Sequence, residues 1–330
     1  MSSGGVVVGL TGATGHIGGL LLARLAASPE VAEIRSVARR PLGPVAAGLL
    51  PAGSVHVCAD VRDADARKAL EGVDVLYHLA SQVWQGKGAD GLRMMAEVNV
   101  DGTRNVLQAR PGAVVLVSSA AAYGAWPDNP LPLDEAHHPC PNPECPYGGQ
   151  KLLAEVVCAQ EAGTWATVRL AAVLGPHADA RVARAVRGFR LAVPALGGVR
   201  QAVQWLDEAD AVAGVLAAGR ALVTPGGGAA GEVFNIATQD WLSAHDAARV
   251  AASHVVTVPR RVLMAGSRLG QRLGATPFGV DRAVLISGPL ALSVAKAGRV
   301  LGWQPTRSSA QVLSDALARG WRGLPFNREP

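Results

Sequence analysis

The run Val6-Val7-Val8-Gly9-Leu10 leads directly into Thr11-Gly12-Ala13-Thr14-Gly15-His16-Ile17-Gly18 and then into the apolar segment Gly19 to Ala27. This order of strand, glycine turn and helix restricts the chain more than any other feature in it. β-Branched residues favour the strand, and the apolar run after the turn favours a helix. Gly12 permits the tight turn, Gly15 lets backbone approach a pyrophosphate, and Gly18 lets the helix pack closely on the strand. The helix N-terminus adds N–H groups and a positive dipole for phosphates. Glycines at this spacing alone fit any tight turn. With the flanking strand and helix they predict a dinucleotide cradle made of Gly12, Ala13, Thr14, Gly15, His16, Ile17 and Gly18.

Further on, Tyr147 and Lys151 stand four apart in Tyr-Gly-Gly-Gln-Lys, 28 residues after Ser119. Residues four apart share one helix face, so the Lys151 ammonium can lie beside the Tyr147 ring and favour its phenolate. A free phenol titrates near pH ~10, and a neighbouring cation together with a positive nicotinamide ring lowers that value, which makes a proton donor or acceptor at working pH. Ser119 would hydrogen-bond the substrate oxygen while charge develops on it. By chance alone a Tyr and a Lys at this spacing form a half-buried ring and a solvated cation. The independent upstream match favours hydride chemistry.

These residues resemble the extended short-chain dehydrogenase/reductases, the NAD(P)-dependent epimerase/dehydratase group. The likeness covers most of the chain and its signposts come in order: the TGATGHIG turn, Asp60-Val61, Tyr77-His78-Leu79-Ala80, Asn99-Val100-Asp101-Gly102-Thr103, Val117-Ser118-Ser119 with Tyr123-Gly124, the YGGQK run, Arg169 to Pro176, and Gly302-Trp303-Gln304-Pro305. The resemblance implies an α/β fold, a Rossmann-like doubly wound parallel sheet with a smaller, interleaved C-terminal substrate lobe. It implies a catalytic set of Ser119, Tyr147, Lys151 and Asn99, the last bracing the cofactor side of the site. As a helix-interior residue, Asn99 could equally bond backbone locally. Asp60, with Val61, would accept from the adenine amino group, although an Asp after a strand also serves as a helix cap. Leu79, Ala80 and Ser81 would pass the nicotinamide ribose through backbone contacts. The helices near 91–110 and 147–162 look like the family's dimer-forming pair, so a homodimer is expected.

The second strand ends Val37-Ala38-Arg39-Arg40, with no carboxylate where the ribose hydroxyls of NAD(H) would be held. Two guanidinium groups suit a ribose 2′-phosphate, so NADP(H) is favoured with NAD(H) as the other possibility. The competing reading is a solvated pair before Pro41.

Alternating strands and helices predict a parallel sheet covered on both faces. Strands are expected at Val31–Ala38, Val55–Cys58, Val73–Leu79, Val114–Ser118 and Trp165–Leu170, and helices near 63–71, 91–110 and 147–162. Residues 1–170 would form the dinucleotide-binding domain and 171–330 mainly a substrate-binding lobe, interleaved with returning sheet strands. That second part would hold helices near 178–190 and 208–221, strands near 201–206 and 232–237, and a last helix Ser309 to Trp321.

With 330 residues, 49% of them hydrophobic, a substantial core can be buried. Every apolar stretch is broken before about 18 residues, so no membrane span is expected. The Met-Ser-Ser-Gly-Gly start does not read as a signal peptide, and a cytoplasmic location follows by default. The net charge of +5 is interspersed with acids, which argues against nucleic acid as a partner. Arg181, Arg184, Arg187 and Arg190 line one helix face, either as an anion clamp or, the favoured reading, as a solvent face. Cys58, Cys140, Cys145 and Cys158 lack strong metal spacing. Zinc among His137, His138, Cys140 and Cys145 is conceivable, but prolines stiffen that segment, so no metal is expected.

Ala120 and Ala121 stand where dehydrating relatives carry an Asp-Glu pair after the Ser119 position, which disfavours sugar dehydration. Ala171 and Ala172 stand where epimerases carry an Asn after the Arg169 position, which weakens but does not remove an epimerase acting on a nucleotide sugar. Arg200 could meet a pyrophosphate or sit at a strand edge. The favoured activity is NADP(H)-dependent hydride transfer to or from a carbonyl or secondary alcohol of a small, largely apolar molecule, with Trp84, Ser119, Ala120 and Trp126 at the substrate. Tryptophan also serves as a core anchor. A catalytically silent nucleotide-binding protein is the remaining alternative.

Overall fold

The computed structural model describes residues 5–84, 88–272 and 280–318. Six strands, β1 (Val6–Thr11), β2 (Val31–Ala38), β3 (Val55–Cys58), β4 (Val75–His78), β5 (Ala113–Ser119) and β6 (Trp165–Leu170), join a seventh, Glu232–Ile236, in one sheet. Its order is seventh-β6-β5-β4-β1-β2-β3, and every pairing is parallel. The direction of winding reverses between β1 and β4, and the crevice at the carboxyl end of that switch is where such sheets bind ligands.

Strands buried on both faces need apolar residues at nearly every position, and β5 meets this with Ala113 to Ser118 all buried. Alternation then separates two cores. Val8, Leu10, Val115 and Val117 face the helix His16–Ala26, through Leu21 and Leu25, and the helix Glu208–Val223, through Val212 and Val215. On the opposite face Leu76 packs with Leu70 and Val106, while Val114 and Leu116 meet Ala154 and Val157 of the helix Pro146–Glu161.

After β6 the chain alternates between this sheet and a second core around Leu174, Val186, Val193, Trp205 and Leu313. Three two-stranded parallel pairs frame it: Trp205–Asp207 with Ala172–Leu174, Val255–Val258 with Val193–Leu196, and Pro289–Leu290 with Ala202–Val203. A cut at 170 therefore leaves one strand of the main sheet, Glu232–Ile236, on the far side.

Two expected elements are broken. The helix near 91–110 consists of Gly88–Ala96 and Gly102–Leu107 with a π-turn, Glu97–Asp101, between them, and this wide turn carries Asn99 inward. The strand near 201–206 is interrupted at Gln204, whose amide donates to Thr238 O at 2.6 Å and to Leu292 O at 3.0 Å. The final helix is described as Ser309–Ala318, and the rest of the expected span to Trp321 lies outside the described residues. No described helix is long and apolar enough to cross a membrane, and no metal-binding group of three or more ligands occurs among the described residues.

Candidate active site

The glycine turn closes on itself, with Gly15 N donating to Gly12 O at 2.9 Å and Gly12 at φ +77°. A Cβ on Gly18 would stand 2.0 Å from Gly12 O, so only glycine lets the His16–Ala26 helix start this close to β1. Behind the turn runs a buried polar chain. Thr11 Oγ1 accepts from Leu79 N and Ala80 N, both at 3.1 Å, and meets His78 Nδ1 at 2.7 Å. His78 Nε2 meets Thr103 Oγ1 at 2.9 Å, and Thr103 gives its hydroxyl proton to Asn99 O. That direction makes Nε2 the donor and Nδ1 the acceptor of a neutral ring. Burial, reinforced by the Lys151 charge, pushes the His78 pKa down to about 3.

Ser119 ends β5, and its Oγ accepts from Ala121 N at 3.2 Å across the turn Ala120–Ala122. A Cβ on Gly148 would lie 2.4 Å from Ala121 O, so this glycine lets the start of the Pro146–Glu161 helix press against that turn. Tyr147 is thereby buried at the same cavity wall as Ser119. Lys151, one turn on, is buried and donates from Nζ to Val117 O at 2.7 Å. Burial pushes its pKa down to about 8, against the opposing pull of the Glu155 carboxylate. Glu155 itself accepts from Ser118 and forms a buried ion pair with Arg169 at 2.6 Å. Arg169 lies against the Tyr123 ring, 4.5 Å from its centroid.

One cavity of about 730 Å³ is lined by Gly12, Gly15, His16, Ile17 and Gly18 at one end and by Ser119, Ala120, Tyr147 and Lys151 further along. A bare glycine turn at the start of an eleven-residue helix, opening on this cavity at the strand ends, fits a dinucleotide pyrophosphate. Leu79, Ser81 and Arg39 also line it. Ala13 and Thr14 are buried within the turn, and Ala80 lies directly behind Gly12, whose Cβ would meet Ala80 N at 2.9 Å.

Several expected residues lie elsewhere. Asn99 is off the cavity wall, with its amide oxygen taken by Gln82 N and Ser81 Oγ and its nitrogen by Gln82 O and Gln150 Oε1. It pins the chain after β4 to the helix carrying Tyr147. Arg40 turns back to donate to Thr14 O at 2.9 Å. Asp60 is occupied by Arg62 at 2.9 Å; burial would raise its pKa, but the Arg62 bonds and charge outweigh that and hold it low. Val61 packs in the core beneath Gly102. Trp126 is off the wall, two residues after Gly124 at φ +73°, and its indole N–H is taken by Cys140 O at 2.6 Å. Arg200 is exposed and off the wall.

Trp84 does line the cavity, donating to Asp179 Oδ2 at 3.3 Å with the Arg181 guanidinium 4.9 Å from its ring centroid. The four-arginine face is therefore not uniformly a solvent face. Arg181 sits on the cavity wall, and Arg190 donates to Leu317 O at 2.6 Å. Two further groups, His177 and Glu208, had no local signal. His16 and His177 both bond the buried Glu208, at 2.7 and 2.6 Å, across 192 and 31 positions of sequence. Burial alone would raise the Glu208 pKa; the bonds and charge of the two imidazoles outweigh it and leave it below the usual carboxylate range.

A model of the NAD dependent epimerase/dehydratase family matches residues 8–237. The uncharacterized protein y4nG of Sinorhizobium fredii is 26% identical over 267 residues, 75% of this chain and 63% of its own length. Sterol demethylase protein B of Methylococcus capsulatus is 37% identical over 131 residues, 39% of this chain and 38% of its own. The chain thus spans less than two thirds of the length of these two relatives. UDP-glucose 4-epimerase of Streptomyces lividans is 28% identical over 347 residues, 93% of this chain and 94% of its own. UDP-glucuronic acid 4-epimerase from Bacillus cereus, solved with UDP-glucuronic acid and NAD, superposes with a TM-score of 0.70 at 20% identity over 94% of this chain and 98% of its own. At that identity the likeness is one of fold.

Proposed function

Because the chain belongs to the NAD dependent epimerase/dehydratase family, we propose that it transfers hydride between a nicotinamide dinucleotide and a carbonyl or secondary-alcohol carbon, as a reductase or dehydrogenase acting on a small molecule. The observation that carries this reading is the single cavity shared by the glycine turn, Ser119, Tyr147 and Lys151. When bound, the dinucleotide supplies or receives the hydride. Ser119 Oγ holds the substrate oxygen, Tyr147 exchanges a proton with that oxygen, and the Lys151 ammonium steadies the charge that this exchange leaves on the phenol. Lys151 is fixed for that task by its bond to Val117 O.

Dehydration of a sugar fits poorly, since Ala120 and Ala121 offer no acid or base beside Ser119. Arg169 is tied to Glu155 and is taken out of any substrate contact. NADP(H) is the favoured cofactor, because β2 ends in Ala38 without a carboxylate and Arg39 lines the cavity. Arg40 serves the fold through Thr14, so Arg39 carries the 2′-phosphate contact. Replacing Arg39 with Gln should cut the NADPH-to-NADH ratio of kcat/KM by roughly tenfold, the value of one charge-assisted contact. An unchanged ratio removes the assignment.

Replacing Tyr147 with Phe should leave cofactor affinity nearly unchanged and lower turnover by about two to four orders of magnitude. Retained turnover in that variant refutes the proton-transfer role. The epimerase of Streptomyces lividans, similar along 93% of this chain, supports a second reading in which the hydride returns to the same substrate. That reading predicts a dinucleotide retained through purification and no net oxidation of added NADPH or NADH.

A further inference from the structure

Beyond Ser119 and Tyr147 the cavity continues into the second core, and the polar side chains on that stretch of wall are few. Gln204 donates to Thr238 O and Leu292 O and accepts from Leu292 N at 2.7 Å, which occupies both ends of its amide. Asp179 accepts from Arg181 N at 2.7 Å through one oxygen and from the Trp84 indole through the other. Arg181, the cation lining this end among the described residues, lies over the Trp84 ring. The rest of the wall is hydrocarbon and aromatic: Val186, Phe189, Val203, Trp205, Leu285 and Ile286. Phe189 and Trp205 meet edge to face with centroids 6.2 Å apart, and Leu285 packs against the cluster that contains Tyr147.

A sugar placed among Val186, Phe189, Val203, Trp205, Leu285 and Ile286 would bury hydroxyls against side chains that offer no hydrogen-bond acceptor, which is unfavourable for each group left unpaired. A ring system without such groups would lose water from both surfaces at once. On the hydride-transfer reading above, we propose that the substrate is an uncharged, predominantly apolar cyclic ketone, or the matching secondary alcohol, carrying no nucleotide or phosphate. Its ring body lies among these six residues and its oxygen reaches Ser119 and Tyr147. In the reductive direction the carbonyl carbon gains a hydride from the reduced nicotinamide, the C=O π pair moves onto oxygen, and that oxygen takes the Tyr147 proton. The ketone is reduced, the dinucleotide is oxidised, and solvent returns the proton to Tyr147.

The test is a series of cyclohexanone, 2-decalone and a perhydrophenanthrenone, assayed with NADPH and NADH and titrated calorimetrically beside UDP-glucose, on the full chain and on Ala185→Phe. Ala185 lines the same stretch, on the helix that also carries Arg181 and Val186, so the larger side chain takes up room there. Each buried methylene corresponds to about fourfold in binding, so kcat/KM should climb at least about tenfold per added ring. Ala185→Phe should erase that climb while keeping its melting temperature and cofactor affinity. If that variant fails to fold, Phe189→Ala provides the second measurement and should flatten the climb. Equal kcat/KM along the series overturns the apolar chamber and leaves hydride transfer standing. If no ketone turns over, binding decides. Ring-dependent calorimetric affinity lost in Ala185→Phe supports the chamber while the hydride reading falls, and affinity for UDP-glucose alone overturns the chamber.

Discussion

His78 shows how one side chain can hold a site together without touching a ligand. Its ring is buried, neutral, and satisfied on both nitrogens by Thr11 and Thr103, which in turn hold the backbone after β4 and the π-turn of Asn99. With its folded pKa near 3 and an unfolded value near 6.5, the unfolded chain binds the extra proton first as pH falls. Stability is therefore full above about pH 6.5 and is lost progressively toward pH 3, by on the order of 4–5 kcal/mol over the whole window. Gln can also donate and accept at this position, so His78→Gln should unfold in urea with a weaker dependence on pH between 6.5 and 4.5 than the parent. Parallel curves for the two proteins would contradict a neutral buried ring. His78 was legible only as part of a family signpost, because its partners are 67 and 25 positions away.

The elements meet where a side chain is missing. At Gly18 an added methyl would collide with Gly12 O, a backbone atom that cannot rotate away, so Gly18→Ala forces the His16–Ala26 helix off β1. The expected cost is about 1–3 kcal/mol of stability together with weaker dinucleotide binding, read by thermal melting and by cofactor titration. Gly149 makes the opposite case. It lies within the Pro146–Glu161 helix with no atom within 4 Å of an added Cβ, so Gly149→Ala should stabilise the chain by roughly 0.5–1 kcal/mol. A loss of stability in Gly149→Ala, or none in Gly18→Ala, would show that close approach does not govern these two positions. Element type was readable from the pattern along β1 to β6, most clearly in β1, β4 and β5, which are largely apolar, although the short helix Pro44–Gly48 was not expected. It was least readable at 91–110 and 201–206, where the insertions at Asn99 and Gln204 answer to hydrogen bonds from distant segments.

Across the whole molecule, Glu208 joins the two halves. It stands at the start of the helix that covers the main sheet, bonds His16 from the glycine turn, and bonds His177 beyond Ala172–Leu174. A Cβ on Gly175 would stand 2.1 Å from this carboxylate, which shows how tightly the junction is closed. Glu208→Ala leaves two imidazoles without their acceptor. It should destabilise the chain by about 1–3 kcal/mol and, on the proposed function, weaken cofactor binding, because His16 follows the glycine turn. Unchanged melting and unchanged affinity would remove this link. By itself the sequence determined the parallel sheet and the glycine turn after its first strand, and it singled out Ser119, Tyr147 and Lys151, which line one cavity, since each rests on spacing within one or two adjacent elements and on apolar runs that a covered sheet can bury. The tertiary structure alone decided that Arg40 bonds Thr14 and Asp60 bonds Arg62, that Trp84 faces the cavity and Trp126 does not, and that Glu208 ties the glycine turn to the second core. Those outcomes depend on which distant groups compete for the same hydrogen bond, a competition settled only once the chain has closed.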